Sequence, residues 1–153
     1  MASSITAGNT TNGLGITSDN TGVLQLKSGT GAGTVGAQLD ASQNLAFNSG
    51  YGSVATAYGC RAWVNFNGVT TATIQASGNV SGVVRNSTGN YTITFTNAMP
   101  DANYCVVATG LRAAGNEGIV SPETYAAGSL IVNCVGGTGT EADFSVVNIA
   151  IFR

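Results

Sequence analysis

The 153-residue sequence contains no histidine, and with five Lys or Arg and seven Asp or Glu only 8% of it is charged. Without histidine there is no Ser-His or Cys-His nucleophile pair and no ordinary zinc site. An average soluble domain is about 25% charged, so this surface has to be covered by Asn, Thr, Ser and Gly. Such a composition is unlike that of a cytosolic enzyme or an acidic disordered chain, and it suits an exposed, repetitive or oligomeric β-structure. The five cations, Lys27, Arg61, Arg85, Arg112 and Arg153, are scattered along the chain. They build no basic patch, which argues against nucleic-acid binding.

Other features are missing too. No apolar run approaches the ~20 residues of a membrane helix, and the opening MASSITAGNTTNG has neither the basic n-region nor the apolar h-region of a secretory signal. The expectation is a soluble protein made in the cytoplasm. Cys60, Cys105 and Cys134 are odd in number and show no CxxC spacing, a pattern of buried thiols rather than a disulfide framework. Catalysis by a carboxylate pair would have to use Glu141 with Asp143 or Glu117 with Glu123, and two acids need a deep cleft to shift a pKa. No enzymatic activity and no cofactor are expected.

What is present reads as β-structure in two parts. Residues 1–55 are poor in large side chains and form an N-terminal arm and stem. Within them GITSDNTGVLQLKSG, moved along by 21 residues, falls on GAQLDASQNLAFNSG, pairing Asp19 with Asp40, Leu24 with Leu45 and Leu26 with Phe47. Each copy reads as a strand entered by an Asp-led turn and left by Ser-Gly. A unit with one small apolar face is marginal alone in water, so the repeat predicts burial against copies from other chains, most simply a trimeric stem. Gly31 to Gly36 matches GxGxxG by letters, but the residues that follow read as a strand, not the helix a dinucleotide phosphate needs.

Residues 56–153 show strand patterns at about 60–67, 70–76, 80–86, 90–97, 103–110, 118–121, 129–135 and 143–152, with turn signals between them and no helical period. This spacing predicts an antiparallel β-sandwich or jelly-roll-like domain. Tyr91, Ile93 and Phe95 alternate with threonines, one buried face and one polar. In the last strand Val147, Ile149 and Ile151 oppose Val146 and Ala150, so both faces need cover and the strand belongs at the centre or at a subunit interface. Trp63 and Phe66 are expected in the core because a Trp on a strand buries a large area. A sugar-stacking role for Trp63 is disfavoured by its mid-strand position. Pro100-Asp101 is a turn signature, and Asp101 with Asn103 lacks the further ligands of a calcium loop.

The segments RAWVNFNG (61–68), ASGNVS (76–81), GNYT (89–92) and MPDANY (99–104) resemble a C-terminal knob module of tail fibres and related virion proteins of tailed bacteriophages, especially those of marine and cyanobacterial hosts. The resemblance implies a homotrimer located in the virion, with residues 1–55 attaching to other tail or capsid proteins and residues 56–153 as the knob. Recognition of a host-surface polysaccharide is the activity it implies. Capsid decoration, a head fibre, a baseplate adaptor or a free carbohydrate-binding module are the alternatives. Loop groups suited to sugar hydroxyls are Arg85, Asn86, Thr88 and Asn90 in one turn and Arg112, Asn116 and Glu117 in another, with Tyr125 available for stacking. Core or trimer contacts are assigned to Trp63, Phe66, Tyr91, Phe95, Val147, Ile149 and Ile151.

Overall fold

The computed structural model describes residues 21–28, 33–50, 53–112 and 118–153. The chain divides into two compact units, 1–57 and 58–153. Among the described residues there is no helix, hence none long and apolar enough to cross a membrane.

The first unit is one antiparallel meander, β1 (Leu24–Ser28), β2 (Thr34–Leu39), β3 (Leu45–Phe47) and β4 (Ala55–Thr56), in that order across the sheet. Its best-defined turn lies between β2 and β3. There the Asp40 carboxylate accepts the backbone N–H groups of Ser42 at 2.9 Å and Asn44 at 2.8 Å, while Gln43 takes a positive φ of 67°. This is the Asp-led turn expected for the second repeat copy; its counterpart at Asp19 lies outside the described residues. Thr34, Val35 and Gly36 of the GxGxxG match sit in β2, so no helix begins there.

Among its described residues the second unit holds eight strands: β5 (Cys60–Asn67), β6 (Thr73–Gly78), β7 (Val80–Ser87), β8 (Asn90–Phe95), β9 (Cys105–Leu111), β10 (Gly118–Ala126), β11 (Ser129–Gly136) and β12 (Val146–Phe152). They form two four-stranded antiparallel sheets, β6-β5-β12-β9 and β10-β11-β8-β7, in a sandwich-like arrangement around one shared core. The hairpins β5–β6, β7–β8 and β10–β11 supply most neighbours, and β12 inserts between β5 and β9. Period-two alternation assigns the core: Ala62, Val64, Phe66, Val147, Ile149 and Ile151 from one sheet meet Tyr91, Ile93, Phe95, Leu130, Val132 and Cys134 from the other. Phe66 and Tyr91 pack edge to face across this interior, ring centroids 5.1 Å apart.

Of the seven residues expected as core or trimer contacts six are buried here, and Trp63, expected in the core, is not. It is 44% exposed. Because Ala62, Val64 and Phe66 take the inward positions of β5, Trp63 is carried to the outer face together with Asn65 and Asn67. The thiols depart from expectation as well. Cys134 is buried, its thiol pushed up to about 12 by burial and then by the nearby Asp143 charge, whereas Cys60 and Cys105 are exposed and all three are free.

One polar cluster clamps the sandwich at the β7–β8 end. The Asp143 carboxylate accepts Nε of Arg85 at 2.9 Å and Nη2 at 2.9 Å, the Gly89 N–H at 2.9 Å and the Tyr91 hydroxyl at 2.7 Å. The single Tyr91 proton goes to the nearer carboxylate; the Gly68 carbonyl, 3.0 Å away, is its alternative acceptor. Glycine is required at 89, where φ is +75° and a Cβ would lie 2.6 Å from the Cys134 carbonyl oxygen. Burial pushes the Asp143 carboxyl up, but hydrogen bonds from Arg85, Gly89 and Tyr91 outweigh it and hold the group at about 2, below the ordinary 3.8.

A carboxyl that binds its proton more weakly folded than unfolded adds stability above pH 4, and loses it as the pH falls from about 4 towards 2. With its side chain 19% exposed, Asp143 contributes roughly 1–2 kcal/mol in this way. Asp143→Asn is expected to be about 2 kcal/mol less stable than the parent in urea unfolding at pH 7, with a flatter stability profile between pH 4 and pH 2. Equal acid sensitivity of the two proteins would refute this account of the clamp.

Candidate functional site

The sequence-predicted contact residues do not form one group. Arg85 is held by Asp143, and its Nη2 also donates to Thr88 Oγ1 at 2.9 Å. Both therefore brace the β7–β8 turn. Tyr125 lies in β10, which runs five residues beyond the expected 118–121, and its ring packs on Tyr104 at 5.1 Å. Arg112 lies beside Gly136, where a Cβ would meet its Nη1 at 2.8 Å. Asn116 and Glu117 lie outside the described residues.

Asn86 and Asn90 are brought together, on the outer face of β10-β11-β8-β7 and not at a loop tip. Asn86 Nδ2 donates to Asn90 Oδ1 at 2.6 Å and to Thr92 Oγ1 at 2.9 Å. Asn90 Nδ2 donates to Asn133 Oδ1 at 2.6 Å and to Glu123 Oε2 at 2.8 Å. Asn133 and Glu123 were missed as partners because they come from strands far from Asn90 in sequence, and Thr92 because it was read only as one polar position of β8. A signal existed for one of them: Asn133 is a polar position inside the otherwise apolar run 130–135.

The opposite outer face, that of β6-β5-β12-β9, differs in chemistry. One cross-strand row is Gly78, Trp63, Ala150 and Val107; two residues along is the row Ala76, Asn65, Asn148 and Thr109. Val146 beside Leu111 and Phe152 between Cys60 and Cys105 extend the surface at its two ends. Val107 is 54% and Leu111 55% exposed. Asn65 Nδ2 donates to Asn148 Oδ1 at 2.5 Å, so the polar row is linked within itself. A shallow depression of about 270 Å³ lies over Trp63, Asn65, Val107, Thr109, Asn148 and Ala150. The indole rests on Gly78, where any Cβ would collide with Nε1. Strand alternation held the signal for this face, since Trp63 shares parity with Asn65 and Asn67.

Asp143, held at about 2, stays ionised at neutral pH and cannot serve as a general acid. Asp101 accepts the Asn103 N–H at 2.7 Å and pairs with Arg153 Nη2 at 2.6 Å, which makes it a turn and terminal clamp. Among the described residues no group of three or more His, Cys, Asp or Glu is placed to hold a metal.

Gly78→Ala is expected to lift the indole from β6 and shift the emission of the single tryptophan, with a stability change below about 1.5 kcal/mol because β6 is an edge strand. An unchanged emission spectrum would show that the indole does not rest there. Comparison of the chain with protein-family models, curated proteins and solved structures returns no match.

Proposed function

We propose that this chain is a non-catalytic virion fibre component that assembles as a homotrimer and presents its second unit, as a knob, to a host-surface polysaccharide. The observation that carries the assembly is the outer face of β6-β5-β12-β9. Contiguous apolar surface on a sheet is unfavourable in water and marks an interaction site. Trp63, Ala150 and Val107 make one such strip and Val146 with Leu111 a second on the far side of the polar row, and no charged side chain stands in the two central rows. An uncharged face can meet a copy of itself without opposing like charges. The Asn65–Asn148–Thr109 row between apolar rows would fix the register of that meeting, because a misplaced contact would bury amides without partners.

In the first unit Leu26, Leu39, Leu45 and Phe47 are also exposed. A four-stranded meander with so little inside gains by burying these residues against other chains, in keeping with a stem. The fibre assignment itself rests on the resemblance of residues 61–104 to phage knob modules.

Light scattering is expected to give three times the 15.3 kDa chain mass. A double substitution, Val107→Asp with Leu111→Asp, places charges on exposed positions and leaves the core untouched. It is expected to release monomers while keeping the β circular-dichroism signal, and to raise acrylamide quenching of Trp63. A parent protein that runs as a monomer at micromolar concentration would refute the assembly.

A further inference from the structure

Of the three β-bulges in β10-β11-β8-β7, one on each edge strand points its extra residue at the same place. In β7 the register steps from Arg85 opposite Tyr91 to Ser87 opposite Asn90, leaving Asn86 as the additional residue. In β10 it steps from Pro122 opposite Val132 to Thr124 opposite Ile131, leaving Glu123. A bulge disrupts the ladder locally and re-aims a side chain. Here both re-aimed side chains converge on Asn90, which stands directly opposite Asn133 in the two central strands. Asn86 reaches Asn90 Oδ1 at 2.6 Å and Glu123 Oε2 accepts Asn90 Nδ2 at 2.8 Å. Five side chains from four strands thus hold one another in position on the outer face of the sheet.

We infer that this cluster is a binding site for a neutral saccharide. The inference rests on the recognition reading above and gives it a place and a ligand chemistry. Asn86, Asn90 and Asn133 supply amide donors and acceptors, Thr92 a hydroxyl and Glu123 a strong acceptor. That mixture matches vicinal sugar hydroxyls, each of which both donates and accepts. Beside the amides runs the row Val84, Thr92 and Ile131, with Val84 59% exposed, an apolar strip for the C–H face of a pyranose ring. The cluster carries one negative charge, and its hydrogen bonds come from amides and a hydroxyl with no Lys or Arg among them; the guanidinium of Arg85, next to Asn86 in the chain, is bound to Asp143. Uronic, sulfated and phosphorylated polymers are therefore disfavoured by like charge. An open, flat array with no enclosing wall suits a segment of polymer better than a free monosaccharide. Preorganisation by mutual hydrogen bonds lowers the ordering cost of binding, and presentation on several chains multiplies weak contacts.

The test is surface plasmon resonance of the full-length protein against immobilised dextran, mannan and galactan, with alginate and hyaluronan as acidic comparators. Glu123→Ala, an exposed bulge position on an edge strand, and Asn133→Ala are compared with the parent, and thermal melts confirm that each is folded. Expected is binding to at least one neutral polymer, weakened tenfold or more by Glu123→Ala and by Asn133→Ala. Unchanged affinity in a folded Glu123→Ala variant, preference for the acidic polymers, or no binding to any neutral polymer would each overturn the site. If a protein that binds none of the polymers still adsorbs to host cells, recognition stands by another chemistry and only this site falls; absence of both removes the recognition reading as well.

Discussion

The Asp143 carboxylate is the contact on which the rest of the second unit depends. It receives Arg85 from β7, the Gly89 N–H from the β7–β8 turn and the Tyr91 hydroxyl from β8, and it stands three residues before β12. One ion thereby ties the start of the central strand of one sheet to the hairpin of the other. Such a clamp works only if its partners are complete, because a partly desolvated charge with missing donors costs more than it returns. Tyr91 extends it inward, its hydroxyl on Asp143 and its ring against Phe66, so the polar clamp and the apolar core share a residue. The glycines follow from the same crowding: Gly68 leaves space for the Tyr91 hydroxyl, and Gly89 passes beneath Cys134 and Ala142.

With the core filled by one parity of each strand, the other parity composes the two outer faces, and these have acquired opposite chemistries. On one, apolar rows flank a linked Asn–Asn–Thr row; on the other, amides and a carboxylate cluster beside a narrow apolar strip. A chain with 8% charged residues cannot keep both faces soluble by charge, so it separates them by role. The first is suited to burial and the second to hydrogen bonding with water or a polyol. The bulges at Asn86 and Glu123 belong to the second face, where disturbing the ladder brings in two further polar groups.

Several elements were legible in advance because they depend only on neighbours along the chain. Strand β5 was expected at its observed limits, 60–67, and Tyr91, Ile93 and Phe95 were assigned inward by alternation with threonine. The Asp40 turn was legible from the Asp that leads each copy of the 21-residue repeat, a short side chain that caps its own backbone. Trp63 was misplaced because hydrophobic size was weighed above parity. The bracing role of Arg85 and Thr88 was not legible because the ion-pair partner of Arg85 lies 58 residues away in sequence.

The sequence by itself therefore determined an all-β chain, the number and spacing of strands in its second unit, and which side of most strands is apolar, since all of these follow from period-two alternation and local turn chemistry. Only the tertiary structure decided which side chains share a face. Asn86, Asn90, Glu123 and Asn133 meet because β8 and β11 pair at a particular register and two bulges turn their edge neighbours inward. Register between distant strands is a property of the packed core, where a shift of one residue would exchange buried and exposed sets throughout the sheet, and no local stretch of sequence carries that information.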